Sequence, residues 1–296
     1  MRVFCWWIAG CALSLAACAS GGGKSGQVRS LEELPEHYRV VWEAFRGADP
    51  GWPGMRAEVR AEPALRDFVV DNLVREMLLA YGRADLARAE HPATRHFHRT
   101  RAELVEYPIR SSEVLSELLG VGNGAATYLA SDILNEIGRP ALPVVVGQLE
   151  SPRVQARQWA ARLLAGMPHA LEAEPGVLAA LTRHLTDDED WLTRAQCAKA
   201  LGRRGSTARA TRDLRDSLAL ALRDPDGGVR RAAAKGLAEL DDPAAVPALI
   251  DYLERGLGEG ALTECVAAEA ALSALTGSRG GLGVQGWREL WRSQRP

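Results

Sequence analysis

Two groups of polar side chains have types that could do chemistry. His91, His96 and His98 form a histidine cluster, but His96 and His98 are two residues apart and would point to different sides of a helix. Helical zinc pairs use i, i+4 spacing with an acid nearby, so we interpret these histidines as surface residues. The acidic run from Asp187 to Asp190 lacks the spacing and the glycine of a calcium loop. We interpret it as a solvated turn that caps the next helix.

Glycine and cysteine patterns add no catalytic motif. Gly120–Gly124 follows a predicted helix and lacks the Lys-Ser/Thr ending of a phosphate loop, so it predicts a turn between helices. Cys197 and Cys265 are far apart and fall on different predicted helices, although an oxidising compartment would allow them to pair. The sequence contains no nucleophile elbow, metalloprotease motif or paired CxxC. We therefore predict a protein that is not an enzyme and has no metal and no cofactor.

The first 18 residues have the layout of an export signal. Arg2 precedes an apolar run, Val3–Ala17, which is shorter than the roughly 20 residues that a membrane-spanning helix needs. The segment Leu15-Ala16-Ala17-Cys18 resembles the lipobox of bacterial lipoproteins. The resemblance implies cleavage after residue 17 and lipid attached to Cys18. The alternative is an ordinary signal peptide that is cut near Ala17 or Ala19.

The residues after Cys18 suit a tether. Residues 18–29 are rich in Gly and Ser, a composition that behaves as a flexible coil. Ala19 stands where lipoproteins retained in the inner membrane commonly have Asp. The lipoprotein resemblance therefore implies attachment to the bacterial cell envelope, at the outer membrane and facing the periplasm.

The overall composition favours helices and argues against nucleic acid as a partner. There are 36 Lys and Arg residues against 38 Asp and Glu, a net charge of −2. Nucleic-acid binding usually comes with a basic excess. Ala and Leu dominate the chain and clusters of β-branched residues are scarce, which favours helix nearly everywhere.

An internal repeat of about 35 residues runs from residue 111 onward. Counting from Ala126, Ala156, Thr193, Val229 and Glu264, the residue eight positions later is always Leu and the residue four positions later is always small. These positions share a helix face, so each repeat has a second helix that packs closely on a neighbour. The positions are Leu134, Leu164, Leu201, Leu237 and Leu272, with Ala130, Ala160, Cys197, Ala233 and Ala268.

The repeat unit resembles a known family. A first helix, a short Asp- and Pro-containing turn, and a second helix with Arg and small residues resemble the HEAT-like repeats that also occur in bilin lyases. Leu222–Leu240 is similar to the family consensus, and the resemblance covers residues 111–276. It implies an all-α, right-handed α-solenoid that holds proteins or peptides. Bilin lyases work in the cytoplasm, so the export signal argues against their activity.

Both ends of the array are predicted to be helical caps. Residues 30–110 read as degenerate helix pairs, with helices around Tyr38–Phe45, Ala64–Tyr81 and Thr94–Val105. Residues 277–296 read as a capping helix that carries Trp287 and Trp291 on one face, for which an aromatic ligand platform is the alternative. The Gly-rich segments Gly256–Gly260 and Gly277–Gly286 are predicted to be loops.

Basic residues on the second helices give the hypothesis about function. If these helices line the concave face, Arg203, Arg204, Arg231 and Lys235 form a basic stripe that would bind an acidic segment of a partner protein. A further three arginines could instead pair with aspartates of the turns as a structural ladder: Arg157, Arg194 and Arg230.

The sequence thus favours a lipid-anchored scaffold with an unidentified protein partner. Two alternatives stay open. The same stripe could bind an envelope polymer such as peptidoglycan or an anionic glycan, or residues 30–110 could hold an enzyme site without a recognisable motif.

Overall fold

The structure, a computed structural model, describes residues 35–167, 175–203 and 208–294. The signal segment, Cys18, the tether and Arg204 lie outside these ranges. The chain divides into two compact units between Val144 and Val145. All regular elements in the described ranges are helices, which confirms the all-α prediction. None of these helices combines the length and apolar composition needed to cross a bilayer.

The first unit is built around one long helix, and its predicted helices are confirmed. The prediction missed only the helix Trp52–Ala61. Its Pro53 occupies the first turn, where no backbone N–H is needed. The helices are α1 (Glu36–Arg46), α2 (Trp52–Ala61), α3 (Pro63–Tyr81), α4 (Pro92–Val105), α5 (Pro108–Glu117) and α6 (Gly124–Ile137).

The core of the first unit forms where α1, α2, α4 and α5 pack on α3. Leu65, Leu73 and Met77 lie on the buried faces of α3. At one end Phe45 stacks on Trp42 with ring centroids 5.4 Å apart, and the Trp52 ring meets Phe45 edge-on at 5.2 Å. These aromatic contacts join α2 to α1, and the ring of Trp42 meets Phe68 of α3 edge-on at 6.3 Å.

The second unit continues the chain as alternating first and second helices. First helices are α7, α9, α11 and α13, and second helices are α8, α10, α12 and α14; α7 begins three residues before the division between the units. The helices are α7 (Leu142–Gly147), α8 (Val154–Gly166), α9 (Pro175–Asp187), α10 (Trp191–Gly202), α11 (Ala208–Ala221), α12 (Gly227–Leu240), α13 (Val246–Glu259), α14 (Leu262–Thr276) and α15 (Gly283–Gln294).

The predicted repeat register is confirmed in the second unit. Leu164, Leu201, Leu237 and Leu272 are fully buried, as are the small residues four positions before each of them. The second helices α8, α10, α12 and α14 lie side by side in chain order, and α9, α11 and α13 pack behind them. Because each helix pair buries its apolar stripe against the next pair, the second unit is an α-solenoid.

Two glycines allow α10 and α12 to touch through their backbones. A Cβ built on Gly202 would lie 2.2 Å from the Cα of Gly236, and a Cβ on Gly236 would lie 2.9 Å from the carbonyl oxygen of Ala198. Because neither glycine has a side chain, the two helix backbones meet directly, and this contact sets the distance between the helices.

The predicted loop at Gly256–Gly260 is wrong. Helix α13 runs through Gly256 and Gly258 to Glu259, and Gly260 ends it in the left-handed conformation with φ of 69°. A Cβ on Gly256 would lie 3.0 Å from the Sγ of Cys265, so this glycine serves close packing of α13 on α14. The other predicted loop is shorter than expected, because α15 already begins at Gly283.

The C-terminal helix α15 packs against α13 and contacts α14. The indole of Trp287 is fully buried and its Nε1 donates to the carboxylate of Glu269 at 3.0 Å. Arg288 pairs with Glu254 of α13 at 2.8 Å. A buried Trp287 cannot serve as part of an aromatic ligand platform.

The two cysteines of the second unit are free thiols. Cys197 lies in α10 and Cys265 in α14, and both are buried. Burial raises the pKa of the Cys197 thiol above its ordinary value. Both residues therefore act as small apolar side chains in the helix contacts.

Candidate functional site

Two of the turns between paired helices share one hydrogen-bonding arrangement. In the turn between α9 and α10 Asp188 accepts the backbone N–H of Asp190 at 2.9 Å, and Asp190 caps α10 by accepting the N–H of Thr193 at 2.7 Å. In the next turn Asp224 accepts the N–H of Asp226 at 2.8 Å, and Asp226 caps α12. The sequence-based prediction that these turn acids cap helices is therefore confirmed for Asp190 and Asp226.

Behind these turns runs a ladder of arginine–carboxylate pairs that joins successive repeats. Arg157 donates to both carboxylate oxygens of Asp188, through Nε at 2.9 Å and Nη2 at 3.1 Å. Arg194 does the same to Asp224 at 2.8 and 3.0 Å. The third pair forms between the guanidinium of Arg230 and the carboxylate of Glu264.

Each ladder arginine also binds the turn that precedes its own helix. The Nη1 of Arg157 donates to the carbonyl oxygen of Ser151 at 3.0 Å, and that of Arg194 to the carbonyl oxygen of Asp188 at 2.8 Å. Arg230 Nη1 reaches the carbonyl oxygen of Asp224 at 2.6 Å. One guanidinium thus holds the turn of its own repeat and the acid of the next repeat.

The ladder confirms one of the two roles considered for these arginines. Arg157 and Arg194 pair with turn aspartates, whereas Arg230 pairs with Glu264 of α14, which replaces the turn aspartate in the last repeat. All their guanidinium groups are engaged in bidentate contacts, which are the strong form of this interaction. We therefore assign these three residues to the structure of the array and remove them from the candidate binding surface.

Asp188 corrects the prediction of a solvated turn. Its side chain is only 2% exposed and that of Arg157 only 9%. Burial by itself would raise the pKa of Asp188, but hydrogen bonds from Arg157, from the N–H of Asp190 and from His184 lower the pKa below its ordinary value. The hydrogen bond from Arg230 lowers the pKa of Glu264 in the same sense. The folded state therefore holds both acids as carboxylates.

We expect the stability of the chain to fall as the pH drops below about 5. A carboxylate whose pKa is lowered by folding stabilises the fold above its ordinary pKa, which is 3.8 for Asp188 and 4.5 for Glu264. That contribution is lost as the pH falls through the folded-state pKa. The urea concentration at the midpoint of unfolding, measured from neutral pH down to about pH 3, should show the loss.

Two single variants make this pH dependence specific. Glu264→Gln removes one of the titrating ladder acids, so its midpoint should change less with pH than that of the native chain. Glu254→Gln removes an exposed carboxylate that pairs with Arg288, and its pH profile should run parallel to the native one. Equal slopes for Glu264→Gln and the native chain would contradict the assignment.

A cleft beside the turns that precede α8 and α10 contains groups that could be mistaken for a catalytic site. It measures about 380 Å³ and is lined by Leu149, Glu150, Ser151, Arg157, Arg183, His184, Asp187, Asp188 and Glu189. The ring of His184 lies between two carboxylates, with Nδ1 3.1 Å from Asp188 and Nε2 3.1 Å from Glu150. Hydrogen bonding to His184 lowers the pKa of Glu150.

This cleft is better explained as a further link between repeats. Both ring nitrogens of His184 are occupied by carboxylates, and Asp188 is already bound by Arg157. A general base needs a free nitrogen or oxygen that can reach a substrate, and neither His184 nor Asp188 offers one. Glu150 is half exposed and binds His184 and Arg183 through its Oε1. This arrangement cannot be predicted from local spacing, because Glu150 lies 34 residues before His184 in the chain.

The histidine cluster of the first unit does not form a metal site. His91 and His98 are exposed as predicted, whereas His96 is half-buried between Glu76, at 3.4 Å, and Arg99, at 3.0 Å. The prediction of a surface histidine is therefore wrong for His96. Over the described ranges no group of three or more His, Cys, Asp and Glu side chains is placed to hold a metal ion.

A buried carboxylate in the first unit is also used structurally. Glu103 is 2% exposed and receives two hydrogen bonds from Arg56, at 2.9 Å from Nε and 2.7 Å from Nη2. The pair holds α2 to α4. This arrangement resembles the ladder of the second unit in its chemistry and leaves the acid of Glu103 without a free role in catalysis.

The predicted partner-binding residues lie on the exposed side of the second helices. Arg231 and Lys235 are exposed on α12, and Arg203 is exposed at the end of α10. Arg203 has structural contacts as well, because its Nη1 donates to the carbonyl oxygen of Ala165 at 3.0 Å and its Nε lies 3.7 Å from Glu239. Lys235 lies 3.6 Å from the same glutamate. Arg204 cannot be placed, since it is outside the described residues.

Large apolar side chains continue this surface, and the sequence analysis missed them. Trp191 and Leu262 each stand two positions before the register residue of their helix, and Arg231 and Val266 each stand two positions after it. Equivalent positions in stacked helices face the same way. The indole of Trp191 lies across the start of α12, where a Cβ on Gly228 would come within 2.9 Å of it. We call the set Trp191, Arg203, Arg231, Lys235, Leu262 and Val266 the second-helix face.

Comparison with known proteins identifies the repeats. A family model described as HEAT repeats matches residues 142–220 and residues 178–273. The crystal structures of two engineered proteins from the Northeast Structural Genomics Consortium are similar at 17% sequence identity. The first has a TM-score of 0.41, and the match covers 91% of this chain and 98% of the engineered protein. The second has a TM-score of 0.42, and the match covers 90% of this chain and 74% of the engineered protein. No curated protein sequence matches the chain.

The chain therefore contains HEAT repeats, and its second unit is an α-solenoid built from them. The HEAT match lies almost entirely within the second unit and includes each member of the second-helix face. Solenoids of this class suggest a scaffold that binds proteins, since stacked repeats present an extended surface of side chains from several helices.

Proposed function

We propose that this chain is a lipid-anchored scaffold of the bacterial cell envelope that binds a protein partner on its second-helix face. The single observation that carries the proposal is the composition of that face. Basic and large apolar side chains stand exposed there, on helices whose ladder arginines are fully engaged behind them. HEAT repeats generally mediate protein interactions, which supports a protein as the partner.

A rigid layer beneath the face supports binding rather than catalysis. Helices α10 and α12 are held at a fixed distance by Gly202 and Gly236, and the ladder joins the ends of neighbouring repeats. A rigid layer needs no ordering of its backbone when a partner binds, which favours affinity. The buried charged groups of the described part of the second unit, Arg157, Asp188 and Glu264, are all members of ladder pairs.

The anchor part of the proposal rests on the sequence. Leu15-Ala16-Ala17-Cys18 resembles a lipobox, and the residues that follow it suit a flexible tether. Several acyl chains on Cys18 would hold the chain at a membrane, since each buried CH₂ group contributes about 0.8 kcal/mol. We propose the outer membrane, facing the periplasm, because Ala19 takes the place of an inner-membrane retention aspartate.

Reversing the charge of Arg231 and Lys235 should reduce partner capture by about tenfold or more. Both side chains are exposed, so Arg231→Glu with Lys235→Glu should leave the helices folded. The measurement is mass spectrometry of proteins crosslinked to the full-length chain in cells. The matched control is Arg212→Glu with Arg223→Glu, which makes the same charge change at exposed positions in and directly after α11.

The outcomes separate the candidate functions. Loss of one protein from the reversed variant alone supports the scaffold. Equal loss in both variants would show a general charge effect, and recovery of wall fragments would favour an envelope polymer as the ligand. Labelling the same cells with palmitate tests the anchor, since the label should be lost in Cys18→Ser.

A further inference from the structure

The α14 part of the second-helix face is a row of exposed apolar side chains at four-residue spacing. Leu262 is 74% exposed and Val266 is 70% exposed. Ala270 and Ala274 continue the same stripe at four-residue spacing and are also exposed. The stripe is about 18 Å long, since each helical residue advances about 1.5 Å. Water-exposed large apolar side chains in a contiguous row mark an interaction site.

This stripe is not the uncovered end of the repeat array. The side of α14 that would meet another repeat carries Glu269, whose carboxylate accepts the N–H of Gly281 at 2.8 Å and the Nε1 of Trp287 at 3.0 Å. The last loop and α15 thus cover that side. Val266 instead occupies the position equivalent to Arg231 of α12, which faces solvent.

The neighbouring helix provides charge beside the stripe. Arg231 and Lys235 are exposed on α12, which packs directly against α14. Neighbouring helix axes lie about 8–10 Å apart, so Arg231 and Lys235 run beside the apolar row. The basic row ends at Glu239, which is exposed on α12 and pairs with Lys235. The two rows fit a ligand that has an apolar face flanked by carboxylates.

We propose that α12 and α14 form a groove that binds an amphipathic, acidic helix of a partner protein. Its apolar side chains would cover Leu262 and Val266, and its carboxylates would pair with Arg231 and Lys235. The small side chains of Ala270 and Ala274 allow the backbone of the bound helix to approach closely at the other end of the groove. This inference rests on the proposed scaffold function and specifies the partner segment.

A photo-crosslinking amino acid placed at Val266 in the full-length chain tests the groove in living cells. The same amino acid at Leu220 of α11 and at Leu257 of α13 provides matched controls, because both are exposed leucines outside the groove. We expect an adduct at position 266 that is at least about tenfold more abundant than at either control position. Mass spectrometry of the adduct should identify a segment with an apolar face and flanking Asp or Glu.

The charge partners are tested in the same experiment. Arg231→Glu with Lys235→Glu should reduce the adduct at position 266 by about tenfold, a change of about 1.4 kcal/mol in binding free energy. A synthetic peptide of the identified segment should bind the native chain and lose affinity to Leu262→Ser with Val266→Ser. The control variant Leu220→Ser with Leu257→Ser should retain the affinity.

Several results would overturn the groove. An adduct with a second copy of the chain, with lipid, or with a segment that lacks flanking acids would each exclude an acidic partner helix. If bulk crosslinking captures a partner but position 266 yields no adduct, the groove is wrong while the scaffold function stands. If neither bulk crosslinking nor the amino acid at position 266 captures a protein, the groove and the scaffold function are both wrong.

Discussion

Replacing Arg157 by Met is expected to lower the free energy of unfolding by about 3–5 kcal/mol. The guanidinium forms two hydrogen bonds to Asp188 and one to the carbonyl oxygen of Ser151, and both charged side chains are almost completely buried. Met fills a similar volume, but it leaves the buried carboxylate of Asp188 without the charge and the two hydrogen bonds of the guanidinium. Urea unfolding followed by circular dichroism measures the loss, and hydrogen exchange should place it in α8 and α10.

Two comparisons separate the buried pair from an ordinary surface pair. Arg288 and Glu254 approach to 2.8 Å but are 37% and 54% exposed, so Arg288→Met should cost no more than about 1 kcal/mol. In a double-mutant cycle, Arg157→Met combined with Asp188→Asn should cost less than the two separate losses added together. A loss for Arg157→Met as small as that for Arg288→Met would show that solvent screens the ladder.

Adding one methyl group at Gly202 is expected to destabilise the second unit by about 2–3 kcal/mol. The new Cβ would lie 2.2 Å from the Cα of Gly236, and the obstacle is backbone that cannot rotate away. Helices α10 and α12 would have to separate, which would also weaken the contacts of Leu201 and Leu237 in the core. Thermal and urea unfolding of the purified chain, with hydrogen exchange across α10 and α12, would detect the change.

Gly258 provides the matched control for this substitution. It also lies inside a helix, but a Cβ there would meet no atom within 4 Å. Gly258→Ala should therefore stabilise the chain by about 0.5–1 kcal/mol through the higher helix propensity of alanine. A stabilising effect of the same size at Gly202 would contradict the close crossing of α10 and α12.

Both predictions concern contacts that lie behind the second-helix face. The ladder hydrogen bonds and the glycine crossing tie neighbouring repeats together without using Lys235, Leu262 or Val266. Arg231 lies close to the third rung, where its charge helps to lower the pKa of Glu264. This division explains how one helix serves two purposes. The residues that face neighbouring helices fix the layer, and the residues that face solvent remain available for a partner.

Local periodicity was sufficient to predict the helices and their buried sides. Leu201 and Cys197 share a helix face through spacing alone, and that face is buried in the structure. The same reasoning found α3 and α4 in the first unit and the caps at Asp190 and Asp226. These features depend on residues within a few positions of one another, so the sequence determines them directly.

The sequence also suggested the ladder, but it left open which arginines pair and which bind. That choice depends on residues about 30 positions away, such as Asp224 for Arg194 and Glu264 for Arg230. Composition likewise suggested a loop at Gly256, whereas the structure uses this glycine to bring α13 close to Cys265. In a sequence, a glycine suggests a turn. Its role in close packing becomes visible only when the residue that approaches it in the fold is known.

Only the tertiary structure decided what the exposed surface is made of. Spacing alone assigned no role to Leu262 and Val266. Helices α12 and α13 pack against other sides of α14, and Trp287 of α15 binds Glu269, which leaves the two apolar side chains in solvent. Asp188 reads as a solvated acid, yet Arg157 and His184 enclose it. The sequence determines which residues share a helix face, and the packing of distant helices determines which face meets water.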